Sequence, residues 1–180
     1  MPESDRVWRE GALRAAVLAG DEGAWQILYD ATFGALYAYV CWRCAGLRDL
    51  ADELVQECWL TAVRRVRSFD PKRASFAAWM RGIAGNVIRN HLRGRRRATP
   101  HRPLDGQEAA PVPDERGTQE RIAGALAVLS ERHEAVLRAK YLEMKSVADI
   151  AAQWQESPKA IESLLTRARE AFREAYTQME

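Results

Sequence analysis

The chain has 180 residues, 47% hydrophobic and 29% charged, with a net charge of +2, which bounds it to a folded protein of one large or two small domains. No stretch approaches the roughly 20 apolar residues of a membrane span, so no membrane insertion is expected. The N-terminus MPESDRVWRE has no cationic start before an apolar run, and three cysteines suit a reducing compartment, so a cytoplasmic protein without secretory signal or disulfide framework is expected.

The small net charge hides a segregation. Residues 1–97 carry 16 Lys/Arg against 11 Asp/Glu, residues 98–120 carry 2 against 5, and residues 121–180 carry 9 against 9. Partners of the first part are therefore expected to include an anion.

In chain order, residues 1–20 predict a short helix with Leu13, Val17 and Leu18 on one side, closed by Gly20. Asp21 is a good N-cap for a long helix to about Ala45, with Trp25, Leu28, Tyr29, Leu36, Tyr37, Tyr39, Val40 and Trp42 around much of its girth. Cys41 and Cys44 stand in it as CWRC, one helical turn apart. A structural zinc site needs two more ligands at suitable spacing, and Cys58, His91, His101 and His133 lie far off in sequence. Buried free thiols are the default, and no metal or cofactor is expected.

A third helix is predicted over about 48–67, with Leu50, Leu54, Cys58, Trp59, Ala62 and Val66 facing the core. Its exposed side gathers Asp52, Glu53, Gln56 and Glu57, followed by Arg64, Arg65 and Arg67. Acids first and bases last is favourable helix electrostatics, and the same face would serve as a docking surface; composition alone leaves both open. The turn SFDPKR leads to Ser75, which caps the next helix.

That helix, SFAAWMRGIAGNVIRNHLRGRRR at 75–97, carries the most informative pattern in the chain. Met80, Ile83, Ala84 and Val87 form a core face. Trp79, Gly82, Asn86, Arg89, Arg93 and Arg96 share another, and Arg97 closes a run of three arginines. A cationic stripe with an aromatic ring suits a nucleic-acid strand, charge for phosphates and a flat face for a base. A solvated amphipathic helix would look similar. Five arginines between Arg89 and Arg97 favour the former, because they repel one another unless an anion is met.

Residues 98–120 hold four of the seven prolines and almost no apolar residues, and read as an acidic linker between domains 1–97 and 121–180. Four helices are predicted beyond it. Ile122, Leu126 and Leu129 mark the first, and Ser130 caps the second. Ser146 and Asp149 form a capping box for the third, and Ser157 with Pro158 opens the last. That last helix faces inward through Ile161, Leu164 or Leu165, Ala168, Phe172 and Tyr176. The QES turn before it needs a left-handed residue where Gly is usual, and Gln155 must supply it. Short helix, tight turn and a longer helix with outward Lys and Arg make a helix-turn-helix pattern.

Together, ADELVQECWL at 51–60, the 75–97 helix and ALAVLSERHEAVLRAKYLEMKSVADIAAQWQESPKAIESLLTRARE at 125–170 resemble an extracytoplasmic-function (ECF) sigma factor of bacterial RNA polymerase. The resemblance implies an all-α fold of two helical domains, sigma region 2 and region 4, joined by a flexible linker. It implies no catalytic activity, but a role in transcription initiation through core RNA polymerase, promoter DNA and an anti-sigma factor. Asp52, Glu53, Gln56 and Glu57 would dock on the polymerase beta-prime coiled coil, with further contact to the beta subunit. Trp79, Asn86, Arg89, Arg93, Arg96 and Arg97 would engage the opened −10 element, and the linker would thread toward the RNA channel. Lys159, Glu162, Ser163, Thr166, Arg167 and Arg169 would face the −35 element. The sequence departs from the family at Asn90, where Asp is common, and at Glu162 and Leu164, where basic residues are frequent. Glu162 is expected either to be neutralised by Lys159 or to accept a hydrogen bond from a cytosine amino group.

Two rival classes fit less well. A stand-alone helix-turn-helix repressor would dimerise on a palindromic site, and no uninterrupted heptad seam is present. A thiol redox enzyme using CWRC would need the strand–helix alternation of a thioredoxin-like fold.

Overall fold

The computed structural model describes residues 3–98 and 115–179, with side chains described for 3–94 and 115–179. Every regular element among the described residues is helical, as the periodicity predicts. The order is α1 (Glu3–Leu18), α2 (Glu22–Arg43), α3 (Arg48–Arg65), a 3-10 turn (Val66–Ser68), α4 (Phe76–Ala98), α5 (Glu115–Val128), α6 (Glu131–Tyr141), α7 (Val147–Trp154) and α8 (Pro158–Thr177). The chain divides into two compact units, Met1–Cys41 with Arg48–Arg93, and Trp42–Leu47 with Gly94–Glu180. No helix among the described residues is long and apolar enough to cross a membrane.

In the first unit, Gly20 (φ +90°) ends α1, and Asp21 Oδ1 accepts the N–H groups of Gly23 at 2.8 Å and Ala24 at 3.2 Å to start α2. The inner face of α2 is Ala24, Leu28, Leu36, Tyr39 and Val40, and Ala51, Leu54, Val55, Cys58 and Ala62 of α3 are buried in the same unit. Tyr29, Phe33 and Tyr37 stack along a second side of α2 at 5.0 and 5.7 Å, and Trp59 closes on Tyr29 at 4.7 Å. From α4, Phe76, Met80, Ile83, Ala84 and Ile88 are buried.

Three positions differ from the periodic expectation. Leu18 faces solvent, because α1 ends there and Val17 takes the inner place. Ala51 and Val55, not Leu50, fill the start of the α3 stripe. Ile88 is fully buried where Val87 is half-buried, since the stripe rotates by one residue as α4 lengthens.

In the second unit, Val136, Leu137, Ala139, Ile150, Ala151, Ile161, Leu164, Leu165 and Ala168 form one core. Leu164 and Leu165 are both inside. Ala175 takes the buried place near the end of α8, while Phe172 stacks on Tyr176 at 6.1 Å and Arg121 lies 4.3 Å over the Tyr176 ring. One correction concerns the linker. Helix α5 starts at Glu115, so residues 115–120 are helical and not part of the acidic linker that composition extends to 120. Glu115 lies in the first turn, where the helix dipole favours an acid, and Arg116 pairs with Glu120 one turn on at 3.7 Å. Residues 99–114, which include the four prolines, lie outside the described residues.

Candidate nucleic-acid and docking surfaces

Helix α4 begins where Ser75 Oγ accepts the N–H of Ala78 at 3.2 Å. Trp79 is half-buried. Its ring lies 5.4 Å from Phe69 and 5.5 Å from Phe76, both buried, and Trp59 joins the group 6.4 Å from Phe76. Trp79 is therefore the outer member of an aromatic cluster, with part of its indole in the core and part at the surface. One turn on, Gly82 is exposed, and a Cβ there would meet nothing within 4 Å, so the helix keeps an open shelf beside the ring. Asn86 and Arg93 are exposed and Arg89 is half-buried; Asn86 Oδ1 accepts from Arg89 Nη2 at 2.6 Å. The side chains of Arg96 and Arg97 lie outside the described residues, although the α4 backbone continues to Ala98. The stripe is thus one open shelf flanked by an indole, an amide-oriented guanidinium and a further arginine.

On α3, Asp52, Glu53, Gln56 and Glu57 are all exposed. Asp52 is tied back, because the Tyr37 hydroxyl hydrogen-bonds to its carboxylate. That bond first, then one to Cys41 and the cost of charging a half-buried phenol, push the Tyr37 pKa up to about 12. Leu60 (56% exposed) and Val63 (55% exposed) share the same face, with Leu60 one turn beyond Gln56. Sequence reading passed over both. The available signal was that neither falls on the Leu54–Cys58–Ala62 stripe. Exposed apolar side chains beside acids suit a protein-docking surface, and single exposed apolar residues also occur on solvated helices.

On the second unit, the capping box predicted for α7 is present. Asp149 N–H donates to Ser146 Oγ at 3.1 Å, and Ser146 N–H to Asp149 Oδ2 at 3.1 Å. The Ser146 hydroxyl also donates to Asp149 Oδ2 at 2.6 Å, and this bond is the main reason the Asp149 carboxyl is held below its ordinary range. Gln155 does adopt the left-handed conformation (φ 55°, ψ 40°), and Ser157 Oγ accepts from Ala160 N–H at 3.2 Å ahead of Pro158. Helix α8 then turns Lys159, Glu162, Ser163 and Thr166 outward on one face, with Arg167 at its flank, all exposed. Thr166 Oγ1 donates to the Glu162 carbonyl at 3.0 Å. Arg169, on the opposite flank, is tied back to α6: its Nε donates to the Tyr141 hydroxyl at 2.9 Å, with the guanidinium 5.8 Å over the ring. Leu164 lies in the core, so the departure from the family at that position changes packing and not the outward surface. Among the described residues no three His, Cys, Asp or Glu side chains gather where they could hold a metal ion, and Cys41, Cys44 and Cys58 are not in disulfides.

Comparison with known proteins follows the same division. A model of sigma-70 region 2 matches residues 28–98, and a model of sigma-70 region 4 matches residues 119–172. The chain is 28% identical over 157 residues to the ECF RNA polymerase sigma factor BldN of Streptomyces coelicolor, covering 83% of this chain and 59% of that protein. It is 31% identical over 147 residues to the "Probable RNA polymerase sigma factor RfaY" of Xanthomonas campestris pv. campestris, covering 73% of this chain and 36% of that protein. It therefore spans less than two thirds of either relative's length. Similar solved structures include CnrH in complex with the cytosolic domain of CnrY (TM-score 0.49, 26% identity, 89% of this chain and 92% of that one). The sigma factor RpoE in complex with the anti-sigma factor NepR, from Bartonella quintana, is another (TM-score 0.46, 21% identity, 85% and 96%).

Proposed function

The chain belongs to the sigma-70 family, in its ECF form, and from that premise we propose that it binds core RNA polymerase and directs it to promoters whose −35 and −10 elements it recognises and opens. The polymerase performs the phosphodiester chemistry; this protein supplies promoter choice and strand separation in the cytoplasm and no catalytic group. The observation that carries the reading is the pairing of two helical units, each with an outward surface of different chemistry, in the order region 2 then region 4.

In this reading the first unit has two tasks. The α3 face, with Glu53, Gln56 and Glu57 around Leu60, meets basic polymerase surface, its acids steering the approach and Leu60 with Val63 giving it an apolar centre. Asp52 contributes from the edge, held by Tyr37. The α4 stripe of Trp79, Asn86, Arg89 and Arg93, extended by Arg96 and Arg97, receives the separated −10 strand. Its open shelf at Gly82 lets a sugar–phosphate backbone approach the helix, and Trp79 presents the exposed part of its ring to a base. In the second unit, the α7–α8 pair sets the N-terminal half of α8 into the major groove at −35, with Lys159, Glu162, Ser163 and Thr166 toward base edges and Arg167 and Arg169 at the phosphates.

The test is transcription from a DNA library randomised in the −35 and −10 windows, with core polymerase plus or minus this protein. Recovery of a two-element promoter only with the protein present supports the reading. Binding to a palindrome without polymerase would show a repressor instead.

A further inference from the structure

Helix α1 precedes the segment matched to region 2, which starts at residue 28, and the proposed function leaves it without a task. Its Arg6, Glu10 and Arg14 recur every fourth residue and so share one stripe. Each reaches a backbone group between the end of α3 and the first residue of α4. Arg14 Nη2 donates to the Arg67 carbonyl at 2.8 Å, Arg6 Nη1 donates to the Pro71 carbonyl at 3.2 Å, and Glu10 Oε1 accepts the N–H of Phe76 at 3.1 Å. Arg6 and Glu10 also bond to each other at 2.9 Å, with their side chains 25% and 17% exposed.

Those three backbone groups belong to a class that finds no partner inside a helix: a carbonyl in the 3-10 turn, a carbonyl within a tight turn, and a first-turn N–H of α4. The helix stripe supplies what the segment lacks. Buried Phe69 and Phe76 anchor the segment from beneath, and Lys72 and Arg73 are exposed between the pinned points. The Phe76 bond also aims the first turn of α4, from which Trp79 projects. A segment already fixed in its binding arrangement loses less conformational entropy on meeting a strand than a loose one does.

We propose that Arg6, Glu10 and Arg14 are positioning residues for promoter opening, holding residues 67–76 so that Lys72, Arg73 and the Trp79 end of α4 meet the separated strand in one arrangement. The proposal rests on the functional reading above.

Its test uses the full chain assembled with core polymerase on the library-derived promoter, with Glu10→Gln and Glu10→Ala as the main pair. A glutamine oxygen still accepts the Phe76 N–H; alanine has nothing to offer it. Glu10→Ala is expected to lower the open-complex yield, read by permanganate reactivity of unpaired thymines, about tenfold, the effect of losing one part-buried hydrogen bond. Core affinity should be unchanged, and Glu10→Gln should stay near wild type. Amide hydrogen exchange over residues 67–76 should quicken in the alanine variant alone. Arg14→Lys and Arg14→Ala form a second pair with the same expectations. Normal opening by the folded alanine variants overturns the proposal, as does a parallel loss of core affinity or an equal defect in glutamine and alanine. If neither alanine variant folds, α1 is a structural strut and the positioning role is likewise overturned. A wild-type protein that opens no promoter sinks the functional reading instead, and the exchange pattern still decides whether the stripe pins the segment.

Discussion

Glu162 stands on the outward face of α8 beside Lys159, where a carboxylate facing DNA phosphates would be repelled. Lys159 lies three residues back on the same face, close enough to offset that charge, which is one way to tolerate it. The other way is to accept a hydrogen bond from a cytosine amino group. Glu162→Gln separates the two: cytosine reading predicts that one −35 position relaxes by about 1–3 kcal/mol of discrimination and the others stay, whereas neutralisation by Lys159 predicts uniformly stronger DNA binding with base preference unchanged. Selection of −35 variants with wild type and mutant measures this, and identical preference profiles would remove Glu162 from base reading. Tyr37 offers a second test at this scale. Its raised pKa means that the fold favours the neutral phenol. The bond to Asp52 is therefore fully stabilising below the ordinary tyrosine range near ~10. That contribution is lost as pH rises through about 12. An absorbance titration should show one late-ionising tyrosine, absent in Tyr37→Phe and moved down in Asp52→Asn. A Tyr37 that titrates with the other tyrosines would refute the tether.

At the scale of elements, α3 separates its duties by face. Ala51, Leu54, Val55, Cys58 and Ala62 hold it in the bundle, while Glu53, Gln56, Glu57 and Leu60 share the opposite side. Reversing Glu53 and Glu57 to Lys should then abolish core-polymerase binding at a folding cost within about 0.5 kcal/mol each. Leu60→Ala should weaken binding while leaving the melting temperature in place. A pull-down with unchanged core affinity in the double reversal would dismiss this face. Helix N-caps were legible in the sequence, because a cap is a local event: Ser75, Ser130, Ser146 with Asp149, and Ser157 each bond within four residues of themselves. Gln155 was legible for the same reason, since a three-residue turn leaves one place for the left-handed residue. Leu60 was harder to see, because a leucine in an amphipathic helix reads as core until its angle is compared with the buried stripe.

For the whole molecule, the order of the two units and the character of each outward surface could be read from charge segregation and periodicity. The α1 stripe could not. Arg6, Glu10 and Arg14 bond to backbone groups 53 to 66 residues away, and a carbonyl or an N–H is the same group whatever the residue, so no side-chain pattern at 67–76 advertises the contact. Trp79 was half legible: its place on the stripe was clear, its share in the Phe69–Phe76 cluster was not, and Trp79→Ala would therefore mix lost packing with lost DNA contact. Arg89 and Arg93 give the cleaner test of how the molecule divides its DNA contacts. In the proposed function the promoter is held twice, as duplex by α8 and as a separated strand by α4, and every phosphate neutralised releases counterions. Removing Arg89 and Arg93 together should lower the magnitude of the log K against log salt slope for open complexes by roughly 1.4, about 0.7 for each single-strand phosphate lost. The slope for −35 duplex binding, carried by the other unit, should not move. A salt slope that survives the double change would make the α4 stripe a solvated face, and a duplex slope that falls with it would mean the two contacts are not separate.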